Sequence, residues 1–135
     1  MATEGIEGIY VETRNYGATA AFWKSLGFES RFETDHGSGQ WAHPGGGPYV
    51  FINERQDGEL ETHPILHVAD STTFAPAREL DYSQPFEPQH WAVVEAFVRD
   101  PDGRTVSLQA PLPEGVMAID EHTHHEQKYG SAGAR

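Results

Sequence analysis

From Gly5 to Thr13 the chain reads as a strand: Ile6, Ile9 and Val11 are β-formers, and Tyr10 adds aromatic bulk. The period then changes. In Gly17–Leu26 the apolar residues Ala20, Ala21, Trp23 and Leu26 recur at helical spacing in an Ala-rich stretch. Asn15 precedes this helix, and Gly27 suits its C-terminal cap, because glycine takes positive φ without steric cost. Phe28 to Glu33 alternates again and predicts a second strand, and Gln40 to His43 a short third. His36-Gly-Ser-Gly39 is turn chemistry, and Pro44-Gly-Gly-Gly-Pro48 is a flexible loop. Tyr49-Val-Phe-Ile52 is a buried fourth strand.

The pattern restarts after a linker at Gln56-Asp-Gly58. Pro64 to Ala69 predicts a strand, and Ser71 to Leu80 a short helix capped by Asp70 or Ser71, with Pro76 confining it to about one turn. Ser83 to Gln89 carries two prolines and reads as loop or edge strand. Trp91 to Arg99 alternates, with Trp91, Val93, Glu95, Phe97 and Arg99 on one side. Asp100-Pro-Asp-Gly103 is a hairpin turn, and Thr105 to Gln109 is the closing strand. The chain thus predicts an α+β domain of two β-α-β-β-β modules. These modules, about residues 5–55 and 62–112 of a domain over 1–113, form a curved mixed sheet around a cleft. Residues 114–135 are polar, and 121–135 are expected to be a mobile tail.

Composition narrows the function. The 135 residues suit one domain, and fifteen aromatic side chains (seven Phe, five Tyr, three Trp) argue for a packed core. With no cysteine, disulfides and thiolate metal sites are excluded. No signal peptide and no membrane-spanning apolar run are visible, which predicts a cytoplasmic protein. The formal charge of −12 excludes a basic nucleic-acid footprint and disfavours anionic membranes. That charge serves solubility or, more sharply, the attraction of cationic ligands. There is no nucleophile elbow, phosphate-cradling loop or dinucleotide fingerprint.

Three stretches carry a family resemblance. Ala20-Ala-Phe-Trp-Lys-Ser-Leu-Gly-Phe28, His63-Pro-Ile-Leu-His-Val-Ala-Asp70 and Val98-Arg-Asp-Pro-Asp-Gly-Arg-Thr-Val-Ser-Leu-Gln109 occur in the order found in the vicinal-oxygen-chelate superfamily. That superfamily is the glyoxalase, bleomycin-resistance and extradiol-dioxygenase group, and the chain resembles it across most of residues 5–112. The resemblance implies a homodimer and, in the metal enzymes, a divalent ion such as Ni, Zn, Fe or Mn at four strand positions. Carried over, those positions fall on Gly8, near Glu54, on His63 and on Ser107. Two of them lack a ligand side chain. His67, at even spacing from His63, faces the same side and is a candidate for a shifted site; for both histidines the plainer reading is a polar strand face. His36 and His43 read as solvated, and His90 precedes Trp91. His122, His124 and His125 lie in the tail, where adventitious metal uptake is the expected behaviour.

The leading expectation is a metal-free, cofactor-free binding protein of the bleomycin-resistance type that sequesters a planar or cationic compound. Its candidate ligand-binding residues are Trp41, Tyr49, Phe51, His63, His67, Trp91 and Glu95. The alternative is a metal-dependent lyase, isomerase or dioxygenase with His63 and Glu54 as ligands. A third is a regulatory or structural dimer with a vestigial cleft.

Overall fold

The computed structural model describes residues 2–119. The expected tail over 121–135, with His122, His124 and His125, lies outside the described residues. The elements are β1 (Ile6–Thr13), α1 (Tyr16–Ser25), β2 (Glu29–Glu33), β3 (Ser38–Ala42), β4 (Tyr49–Glu54), β5 (Thr62–His67), β6 (Asp81–Pro88), β7 (Val93–Arg99) and β8 (Thr105–Pro111). The architecture is α+β with a mixed sheet. No described helix is long and apolar enough to cross a membrane.

The chain divides into two compact units, Ile6–Ile65 and the remainder, 2–5 with 66–119. In the first unit hydrogen-bonded strands run β2-β3-β4-β1-β5. β1 and β4 pair in parallel, with Tyr10 opposite Phe51 and Glu12 opposite Asn53. The remaining registered pairs, β2–β3 and β3–β4, are antiparallel. Helix α1 starts where expected. Asn15 is its N-cap, and the Asn15 side-chain oxygen accepts from the Ala18 N–H at 3.0 Å. Gly27, at φ +97°, ends it. The helix buries Ala20 against Trp41, Val50 and Ile52, with Val11, Tyr16, Trp23 and Phe28 around them.

In the second unit the order is β5-β8-β7-β6, β5 contributing its last two residues. β8 and β7 are antiparallel in unbroken register, and β6 is the outer strand. Alternation sends Val94, Ala96 and Val98 of β7, with Leu108 and Ala110 of β8, into one core around Val68. The helix expected over Ser71 to Leu80 does not form. The segment is one turn followed by irregular chain, opened by Asp70, whose Oδ1 accepts from both the Thr72 N–H at 2.9 Å and its hydroxyl at 2.7 Å. Those local bonds favour a turn over helix propagation, and Pro76 has no N–H to continue one. Phe74 and Leu80 still anchor the segment on the core. The two hydroxyl and amide bonds hold the Asp70 carboxyl below its usual range.

The first strand of the closing hairpin also starts later than the pattern predicts. Alternation from Trp91 is interrupted because Ala92 takes φ +65°, which turns the chain, so β7 begins at Val93. The Asp100–Gly103 turn is as expected. The Arg104 N–H, donating to Asp100 Oδ1 at 2.8 Å, is the main reason that the Asp100 carboxyl sits below its usual range.

Candidate functional site

In the first unit, the sheet face turned away from α1 carries side chains from alternate positions of β1, β4 and β5. The Tyr10 ring stacks between Phe51, centroids 6.4 Å apart, and His63, 4.8 Å apart. The Tyr10 hydroxyl accepts from Asn53 Nδ2 at 2.9 Å and donates to Glu12 Oε2 at 2.8 Å. Glu12 is buried. Its Oε1 accepts from the Glu61 N–H at 2.9 Å and lies 3.4 Å from the Arg55 guanidinium. Both ends of the linker 55–61 are therefore fastened to one carboxylate. Tyr10, Glu12 and Asn53 form the polar centre of this face, and sequence reading alone does not single them out. Their shared parity with Gly8 and Phe51 on paired strands is the signal that marks them.

Of the four positions that a divalent ion would need, three are committed elsewhere. A Cβ at Gly8 would collide with the Tyr49 ring, so that ring fills the space a ligand side chain would occupy. The Tyr49 hydroxyl donates to Glu7 at 2.9 Å. Glu54 shares its face with Val50 and Ile52, toward α1, and its Oε1 accepts from the Tyr16 N–H at the helix start. A carboxylate there matches the positive end of the helix. Glu54 thus points away from His63, contrary to the expected ligand pair. Ser107 donates to Glu95 at 2.7 Å. His63 remains as the one ligand-type side chain facing the right way, with Nδ1 3.6 Å from Glu61 Oε1. Among the described residues no group of three metal-binding side chains is gathered. These residues do not fit the metal.

The second unit has a different polar face. Glu95 of β7 is 5% exposed, Ser107 of β8 is fully buried and Gln109 of β8 is 9% exposed. Register brings them together: Glu95 opposes Gln109, and Phe97 opposes Ser107. The Ser107 hydroxyl at 2.7 Å and Gln109 Nε2 at 2.8 Å both donate to Glu95 Oε2. Both donors are neutral, and among the described residues Glu95 forms no ion pair. A buried carboxylate left without a cation is costly, and neutral hydrogen bonds offset that cost only in part.

The other candidates take different places within the two units. Trp41 does not line an exposed face: it is buried in the core under α1, and its Nε1–H donates to the Tyr16 hydroxyl at 3.1 Å. Its place on β3 opposite Val50 sets it on the helix side. Tyr49 serves as the plug over Gly8. Phe51 and His63 flank Tyr10. His67 is half-exposed, with Nε2 3.1 Å from Glu4. Trp91 is 39% exposed in the β6–β7 turn, its ring edge-on to His90. The Tyr16 hydroxyl also donates to Glu33 at 2.7 Å. Burial, with the Glu33 carboxylate beside it, pushes this phenol up to about 12.

No family model matches the sequence, and no curated protein matches it. Solved structures do match the fold. A glyoxalase/bleomycin resistance protein/dioxygenase superfamily member from Vibrio splendidus 12B01 is 15% identical, with 76% of this chain and 96% of that chain covered, at TM-score 0.59. Methylmalonyl-CoA epimerase from Mycobacterium tuberculosis is 14% identical over 84% of this chain and 91% of that one, at TM-score 0.61. The Mn(II)-bound glyoxalase from Novosphingobium aromaticivorans is 14% identical over 98% of this chain and 53% of that one, at TM-score 0.58. The fold is that of the vicinal-oxygen-chelate superfamily.

Proposed function

We propose that this chain is a small-molecule-binding protein of the bleomycin-resistance type that sequesters a cationic compound without a metal. The observation that carries the reading is the Glu95 carboxylate, buried, held by two neutral donors and matched by no described cation. A cationic ligand would supply the missing charge where solvent screening is weak. Trp91, partly exposed in the same unit, offers an aromatic surface for a planar group. The metal-dependent alternative is disfavoured by the Tyr49 ring over Gly8 and by the engagement of Glu54 at the helix start.

The test is a tryptophan-fluorescence titration with cationic aromatic compounds and their neutral isosteres. The cations should bind at least about tenfold more tightly, since one charge-assisted contact is worth roughly 1.5–3 kcal/mol. Glu95→Gln keeps the shape and should erase that preference. Equal affinity for cation and neutral isostere in the unaltered protein would sink the reading.

A further inference from the structure

We infer that the second unit selects cations that donate hydrogen bonds, namely small molecules bearing a planar amidinium or guanidinium group. This rests on the binding reading above and names its ligand class. Three features of one sheet face point the same way. First, both donors to Glu95 go to Oε2, and among the described residues no hydrogen bond reaches Oε1. Second, Glu87 of β6 stands directly opposite Glu95 of β7, so two carboxylates share a face. Among the described residues Glu87 makes no ion pair either. Like charges directly opposed on paired strands repel, and a cation between them relieves that repulsion.

The third feature is Gln89. It follows Glu87 by two residues, and its N–H pairs with the Val93 carbonyl at 2.8 Å, so it continues the same face. Gln89 is 5% exposed, and among the described residues its Oε1 accepts no hydrogen bond, while Nε2 donates to the Glu87 carbonyl at 3.3 Å. A buried amide oxygen without a donor is rare, and a ligand N–H would satisfy it. The donors described on this face, Ser107, Gln109 and Gln89 Nε2, are already engaged, and what remains for a ligand among the described groups of Glu95, Glu87 and Gln89 is acceptors: Glu95 Oε1, the Glu87 carboxylate and Gln89 Oε1. A quaternary ammonium supplies charge but no N–H, and leaves Gln89 unmatched. An amidinium or guanidinium supplies charge together with a planar fork of donors.

Calorimetric titration of the full chain with benzamidinium and with phenyltrimethylammonium separates these cases. Both carry one positive charge on a phenyl ring, but only the first has N–H donors. Benzamidinium should bind at least about tenfold more tightly. In Gln89→Met, which keeps length but removes the acceptor, the preference should shrink, with circular dichroism confirming the fold. Equal binding of the two cations to the unaltered protein would overturn the inference and leave cation binding standing. Binding of neither would overturn both.

Discussion

In the first unit a capped helix covers the apolar side of β1, β3 and β4, whereas in the second an irregular segment, residues 70–80, covers β7 and β8. The helix does it with Ala20 and a ring of aromatics, the irregular segment with Phe74 and Leu80. What the sheet demands is apolar surface at the right height, and either backbone delivers it. The opposite faces differ more deeply. In the first unit Glu12 has an arginine and a backbone N–H on one oxygen and a phenol on the other. In the second, Glu95 has, among the described residues, only neutral donors on one oxygen. A carboxylate in the first unit ties down a linker, while one in the second has no described cation beside it.

The largest expected effect probes the two coverings. Ile52→Ala and Leu108→Ala each remove a fully buried side chain, one beneath the helix and one beneath the turns. Each should cost about 2–5 kcal/mol in urea unfolding. A loss for Leu108→Ala below about 1 kcal/mol would break the equivalence and show the irregular cover to be loosely packed. Next comes the plug over Gly8. Gly8→Ala forces its new methyl into the Tyr49 ring and should cost about 1–3 kcal/mol. In a Tyr49→Ala background the same change should be nearly neutral; an equal cost there would mean that the ring is not the obstacle.

The smallest effect concerns Tyr16, which has no counterpart in the second unit. Its phenol is held protonated up to about 12, above its ordinary value. The folded chain therefore keeps a proton that the unfolded chain releases near pH 10. The associated stability is complete below pH 10 and is lost as pH rises from 10 to 12. Tyr16→Phe should be less stable at neutral pH, lacking the bonds to Glu33 and Trp41, but should show a shallower decline over that window. Identical slopes for the two proteins, measured by denaturant midpoint, would remove Tyr16 as the cause.

The strands and the first helix were readable because each rests on local chemistry: alternation along β7 and β8, Asn15 before α1, Gly27 after it. The short helix expected over Ser71 to Leu80 is reduced to a turn because the Asp70–Thr72 bonds close the chain on itself, and Pro76 stops any continuation. The site was harder for a different reason. Trp41 and Glu54 have the right chemistry, yet which side of a strand each occupies depends on a register no single strand reveals. One residue of parity separates Glu54, at the helix start, from Asn53, beside Tyr10. Glu95 is visible by its parity along β7, but that its described partners are all neutral emerges only once β7 and β8 are paired. Gln89 gave no signal in the sequence, because an amide in a proline-bearing stretch reads as loop.

β6 has a further consequence, since it ends the strand order of its unit. An outermost strand offers unpaired amides on which a foreign chain can add itself, the first step toward fibrils. Pro85 and Pro88 lie within β6, and the register there slips between Tyr82 and Gln84 and again between Gln84 and Glu87. Missing donors, broken regularity and the Glu87 charge make this margin a poor template. The chain can thus carry a long peripheral strand with little tendency to template aggregation along it.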